Sequence, residues 1–206
     1  MRHGRVLGLA SGLALAWLLV GPMAMAAPLD PVVRQGRIWS CGAAAMATLL
    51  TYHLRDPVSE NAMLHELLRN KTEVEVSSAG GFSLLDLKRV AVARGYVVKG
   101  YRDLEAVELD RVAPAIVPLD LPGGRHFVVF RGIEGTKVVL GDPEAGTSTL
   151  SAARFKQLWI GGIAMVVEKA DGTGSGALYH AGLGDYAAPS SPYELPGGVG
   201  TAAPAP

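Results

Sequence analysis

Cys41 is the single cysteine of the chain, and it opens the proline-free run CGAAAMATLLTYHLR over residues 41–55. That run is rich in helix formers and reads as a mostly buried helix. A thiol at a helix N-terminus meets the positive end of the helix dipole and backbone N–H groups that lack intrahelical partners. Both favour the thiolate, the form that acts as a nucleophile. Gly42, Ala43, Ala44 and Ala45 follow. Such small residues let the helix pack closely against a sheet and leave room beside the sulfur. Taken by itself, a lone cysteine reads as a buried and inert side chain. Its partners decide the matter.

A cysteine nucleophile needs a base and a third group that orients the base. Among the five histidines, His3 lies in the basic N-terminus and His180 in a glycine-rich tail. His53 and His65 fall on predicted helices beyond their starts and read as surface or packing positions. His126 differs. It opens the apolar strand HFVVF after the turn Pro122-Gly123-Gly124, where a rigid element aims an imidazole into a cleft. Asp142 follows the strand Val138-Val139-Leu140 and precedes Pro143, a place that also suits a turn former. If residues 126–133 and 137–140 form a hairpin about Gly135, simple antiparallel register sets 126 and 142 side by side at its open end. Gln35 stands six residues before Cys41 in an extended segment, and its neutral amide can donate to the oxyanion of a tetrahedral intermediate. Cysteine, histidine and aspartate in this order, with the glutamine upstream, point to acyl transfer.

The elements that must position these residues follow from local pattern. Asp56-Pro57 stops the first helix, and Ser59 caps a second that runs to about Arg69. Ser83 and Asp86 have capping-box spacing for a third helix over residues 84–94, with Gly95 at its end. After Gly95 the period changes. Residues 96–101, 115–121, 126–133, 137–140 and 163–168 are short runs rich in β-branched and aromatic residues, punctuated by glycine, proline or aspartate. Gly135-Thr136 suits a tight hairpin, and a short helix is expected around residues 152–158. Helices first and strands afterwards predict an α+β domain with a mainly antiparallel sheet.

The ends differ from this body. Arg2, His3 and Arg5 precede a 15-residue apolar run over 6–20, and Ala24-Met25-Ala26 supplies small residues for cleavage. This is the layout of a signal peptide over residues 1–26, and the run is shorter than the roughly 20 residues of a membrane span. The chain is therefore expected to be exported, without a stable membrane anchor. Residues 171–206 are dense in Gly, Ala, Pro and Ser and predict a flexible tail, leaving 27–170 as the folded domain. Nineteen basic against nineteen acidic residues give no electrostatic argument for nucleic acid. Scattered histidines and one cysteine offer no metal site, and no phosphate-binding loop is present, so no cofactor is expected. Four glycine pairs, at 80–81, 123–124, 161–162 and 197–198, are no more than 26 glycines give by chance.

Together Gln35-Gly-Arg-Ile-Trp-Ser-Cys41-Gly-Ala-Ala, Gly81-Phe-Ser-Leu-Leu-Asp-Leu-Lys, Gly95-Tyr96, His126-Phe-Val-Val and Gly141-Asp142-Pro143 resemble the peptidase C39 family over residues 30–168. The resemblance implies a papain-like fold and a cysteine peptidase. In it Cys41, His126 and Asp142 form the catalytic triad, and Gln35 contributes to the oxyanion hole. Many members carry Asp directly before the nucleophile, where this chain has Ser40. With no transporter attached, the chain looks like stand-alone periplasmic members that accompany fibre or functional-amyloid secretion systems. That implies a polypeptide substrate, a fibre or amyloid subunit or its secretion machinery as partner, and cleavage at a double-glycine-like site. Alternatives are a C39-like module that only holds the exported polypeptide, and other Cys-His-Asp hydrolases of the transglutaminase-like or NlpC/P60 cell-wall type.

Overall fold

The computed structural model describes residues 31–172, together with Met1. Beyond Met1, the expected signal peptide over 1–26 lies outside the described residues, as do all but the first two residues of the 171–206 tail. Residue 41 does begin a helix: α1 spans Cys41–Thr48, and all eight residues are buried. Thr48 Oγ1 donates to the Ala44 carbonyl at 2.8 Å and accepts from Val33 N–H at 2.9 Å, pinning the incoming chain to α1. Such back-bonding loosens the helical ladder. The next five residues, Leu49–His53, wind as a π-helix, and Leu54 N–H closes on the Leu49 carbonyl at 3.1 Å. The helical segment ends before Arg55, the expected limit, because Arg55 takes a positive φ of 56°.

α2 spans Glu60–Leu67, with Ser59 Oγ accepting from Ala62 N–H at its start, and a 3₁₀ turn continues it to Asn70. α3, Glu73–Ser78, has no counterpart in the sequence reading, since six residues carry too little apolar periodicity. Its signal was the capping box of Thr72 and Glu75. α4, Leu84–Ala93, has the expected Ser83–Asp86 box, and Gly95 follows it at φ 88°.

Six strands follow: β1 Val97–Tyr101, β2 Ala115–Leu121, β3 Gly124–Glu134, β4 Lys137–Asp142, β5 Gly146–Ser151 and β6 Ala164–Glu168. They form one antiparallel sheet in the order β1-β6-β2-β3-β4-β5. Two further helices, α5 Ala106–Val112 and α6 Ala152–Leu158, join them. β5, short and mostly polar, and α5, seven residues long, were not anticipated, whereas α6 keeps its predicted bounds. The sheet buries both faces. Ile116, Phe127, Val129 and Met165 pack with α1, α2 and α4, and Val117, Val128, Phe130 and Leu140 pack with Leu109 of α5 and Phe155 of α6. Phe155 stacks between Phe130 and Trp159, with ring centroids 5.5 and 5.2 Å away. Three of the glycine pairs are built into this fold: Gly80, Gly81, Gly124, Gly161 and Gly162 take positive φ. A side chain on Gly81 would come within 2.9 Å of the Trp39 carbonyl. Among the described residues no helix is long and apolar enough to cross a membrane.

The β3–β4 hairpin turns at Gly135-Thr136 as expected, but its register is not simple. Pairing runs Glu134 with Lys137, Ile133 with Val138 and Gly132 with Val139, then resumes at Phe130 with Leu140 and Val129 with Gly141. Arg131 is one residue extra, a β-bulge. One step further on, Asp142 faces Val128. His126 and Asp142 are therefore diagonal neighbours and not the direct cross-strand pair expected from the sequence, because the turn at Gly135-Thr136 pairs Glu134 with Lys137. The bulge also sets their face. Side chains alternate along a strand, so without the extra residue His126 would project from the face opposite Asp142.

Arg131 is itself buried, 4% exposed, and donates to Thr147 Oγ1 at 2.9 Å and to the Pro31 carbonyl at 2.5 Å. Its guanidinium lies over Gly141, where a Cβ would stand 3.0 Å from Nη2. Gly141→Ala is thus expected to lower stability by about 1–3 kcal/mol through overpacking, read as a lower urea midpoint at unchanged slope.

Candidate active site

Cys41 is the first residue of α1, and Ser40, wholly buried, stands at the N-cap position. α1 meets β3 here. A Cβ on Gly42 would lie 3.4 Å from the Phe127 ring, the residue beside His126. His126 is 7% exposed and Cys41 4%. Asp142, half-buried, closes β4 and turns the chain. Its Oδ1 accepts from His126 Nε2 at 2.8 Å, from Glu144 N–H at 2.8 Å and from Ala145 N–H at 3.3 Å. The carboxylate is both the turn former and the partner of the ring, as its position before Pro143 allowed. The Cys41 thiol lies near enough to the same imidazole to act on its charge. With Nε2 occupied by Asp142, Nδ1 is the ring nitrogen left for the sulfur.

The electrostatics follow from these contacts. Burial pushes the His126 imidazole down. The hydrogen bond and charge of Asp142, with the Cys41 thiol, outweigh burial and raise it from 6.5 to about 10. Burial likewise pushes Asp142 up, and the bonds from His126 and the Glu144 and Ala145 N–H groups more than offset it, so the carboxyl sits below its usual 3.8. At neutral pH the pair is imidazolium and carboxylate.

Gln35 lies in the segment that leads into α1. Its backbone N–H donates to the Pro143 carbonyl at 2.9 Å, which fastens it beside the end of β4. Its Nε2 donates to the Arg37 carbonyl at 3.2 Å, while Oε1 is buried without a hydrogen-bond partner. A cavity of about 240 Å³ opens between residues 34–38 and Pro143-Glu144. Trp39 is half-buried between the Arg37 guanidinium, 5.6 Å from its ring, and Phe82, 6.0 Å away. His65 is exposed on α2. His53 is held down to about 4 by burial and the nearby Arg131 charge, and stands apart from the Cys41 group. His3 and His180 lie outside the described residues.

Two of the four candidates, Asp142 and Cys41, thus meet at the imidazole of a third, His126, and Gln35 flanks them. Sequence reasoning missed the supports. Arg131 gave no signal, because a bulge has no side-chain pattern of its own. Glu60, which bonds Gly36 and Ser40 across two elements, was indistinguishable from an ordinary first-turn acid.

Helices packed on an antiparallel sheet, with a helix-start thiol beside the imidazole of β3, define a papain-like α+β domain. Residues 30–172 match the model of the peptidase C39 family, and the chain belongs to that family. A Pseudomonas aeruginosa protein named probable functional amyloid protease FapD is 36% identical over 137 residues, covering 66% of this chain and 60% of that protein. A Pseudomonas fluorescens protein of the same name is 34% identical over 130 residues, 63% of this chain and 57% of the other. The chain spans about three fifths of the length of these curated relatives. Among solved structures, a double glycine motif protease from an AMS/PCAT transporter, in complex with the leader peptide, superposes with TM-score 0.55 at 28% identity, over 67% of this chain and 90% of that one. The peptidase domain of Streptococcus ComA, a bi-functional ABC transporter, gives TM-score 0.55 at 20% identity, over 67% and 97%, and bears on the fold alone.

The stabilising share of protonated His126 is complete below 6.5 and is lost as pH rises through about 10. That of Asp142 is present above 3.8 and is lost as pH falls through its lowered value. In Asp142→Asn the ring loses its carboxylate, so His126 is expected to titrate well below the wild-type value of about 10. NMR shifts of the imidazole against pH measure this. Equal titration in both proteins would remove Asp142 as the cause.

Proposed function

We propose that this chain is an exported cysteine endopeptidase that processes a co-secreted polypeptide at a double-glycine-like site. Cys41, His126 and Asp142 serve as its triad, and Gln35 serves at the oxyanion. The observation that carries this reading is the imidazole that bonds the Asp142 carboxylate at 2.8 Å beside the thiol at the start of α1.

The steps follow from the groups. The Cys41 thiolate attacks the scissile carbonyl carbon, and a sulfur–carbon bond forms as the carbonyl oxygen takes the charge. The Gln35 amide and the Cys41 backbone N–H, free at the helix start, donate to that oxygen. His126 gives its proton to the leaving amine, and the carbon–nitrogen bond breaks. The ring, now neutral, takes a proton from water, whose hydroxide attacks the thioester and releases the thiolate. Asp142 keeps the imidazole oriented and favours its charged form throughout.

Substrate and setting rest on likeness. The relatives named as functional amyloid proteases support a fibre or amyloid subunit, or its secretion machinery, as partner. The leader-peptide complex of a double glycine motif protease supports the cleavage site. The basic start, apolar run and Ala24-Met25-Ala26 support export to the periplasm.

Cys41→Ala and His126→Ala are expected to lower turnover about 10³-fold or more, and Gln35→Ala about 10²-fold, with Cys41→Ala and Gln35→Ala unfolding at the wild-type temperature. In cells, Cys41→Ala should leave a secreted polypeptide uncleaved, seen by mass spectrometry of its N-terminus. Identical termini across the exported proteins of wild-type and Cys41→Ala cells would refute processing and favour a module that only holds its partner.

A further inference from the structure

Outside the Cys41 group, one carboxylate has contacts that lead straight back to the site. Glu60 is the first residue of α2, an element that contributes none of the four candidates. Its Oε1 accepts from Gly36 N–H at 2.8 Å and lies 2.5 Å from Ser40 Oγ. Gly36 follows Gln35 and Ser40 precedes Cys41, so this one oxygen fastens both ends of the intervening loop. The fit is close, since a Cβ on Gly36 would meet Glu60 Oε2 at 3.0 Å.

The loop passes this anchoring on. Ser40 Oγ accepts from Arg37 N–H at 3.1 Å, and the Arg37 carbonyl receives Ser40 N–H at 3.1 Å. The same carbonyl takes Gln35 Nε2 at 3.2 Å. That bond fixes which way the amide faces, because a flipped amide would set its oxygen against a carbonyl oxygen. An amide nitrogen carries two protons. With one on the Arg37 carbonyl, the second remains for a ligand. Gln35 Oε1 is turned inward, buried and without a partner. The amide is therefore held as a donor at the cost of its acceptor, an arrangement that serves an anion and not a proton donor.

We propose that Glu60 is a positioning residue, which through Ser40 and the Arg37 carbonyl holds the Gln35 amide with an N–H presented to the reacting carbonyl oxygen. The proposal rests on the reading of Cys41 as nucleophile and Gln35 as oxyanion donor. Two donors converging on one ionised oxygen make a stiffer anchor than neutral hydrogen bonds would.

Two reactions of the same sulfur separate this role from a structural one. p-Nitrophenyl acetate acylates the thiolate through a tetrahedral oxyanion and releases p-nitrophenolate. Iodoacetamide alkylates it by displacing iodide, with no oxyanion. Glu60→Ala is expected to slow acylation at least about tenfold, towards the roughly 100-fold loss of Gln35→Ala. Alkylation should stay within about threefold of wild type, since it reports on the thiolate. Adding Glu60→Ala to Gln35→Ala should cost nothing more, because one acts through the other. Glu60→Gln, whose amide oxygen still accepts, should recover most of the acylation rate. Ser40→Ala, which leaves Glu60 in place but cuts the same chain, should reproduce the split.

An acylation rate unchanged in Glu60→Ala would overturn the proposal. So would a loss additive with Gln35→Ala, or a fall of both reactions in proportion in Glu60→Gln and Ser40→Ala alike. Wild type acylated no faster than Cys41→Ala, or Gln35→Ala acylated as fast as wild type, would instead overturn the reading beneath it.

Discussion

The hydrogen bond from His126 to Asp142 exists because β3 carries one residue more than β4 can pair. A regular hairpin from Gly135-Thr136 would turn the imidazole to one face and the carboxylate to the other. Arg131 takes up the surplus, and its side chain is spent inward on Thr147 and on the Pro31 carbonyl. Burying a guanidinium is costly unless its donors are met. Here that burial ties two further segments, at Pro31 and Thr147, to the kink that aligns the pair. The site depends on a local fault in an otherwise regular sheet.

Once the pair is aligned, its charge state follows from competition between burial and partners. Desolvation acts alone on neither His126 nor Asp142. Each is pushed towards neutrality by the protein interior and returned to charge by the other. The Glu144 and Ala145 N–H groups add a neutral contribution that keeps the carboxylate ionised at no cost in repulsion. His53 shows the contrast. Burial and a nearby cation act on it in the same direction, and it is left uncharged.

Much of this was legible in the residue pattern, and the limits have physical reasons. The helix start at Cys41, the Ser83–Asp86 cap, the Gly135-Thr136 turn and the bounds of α6 are local signals, and the fold keeps them. The triad candidates were found because each stands at the end of an element, where residue type and turn chemistry coincide. What escaped is non-local or short. β5 and α3 are six residues each, below the length at which a period declares itself. The bulge at Arg131 is a property of a pairing and not of a string. Glu60 matters through bonds to residues 36 and 40, which no spacing along the chain reveals.

The Gln35–Pro143 bond has a kinetic meaning as well. It joins the segment before α1 to the end of β4, and Arg131 reaches Pro31 across 100 residues. Contacts of such long separation repay their loop-closure entropy only after the intervening sheet has formed. The ring therefore meets the thiol and the amide only once that sheet has formed. Competence arrives with the closing of the fold and not before, so the domain carries its own protection against acting while it is still being made.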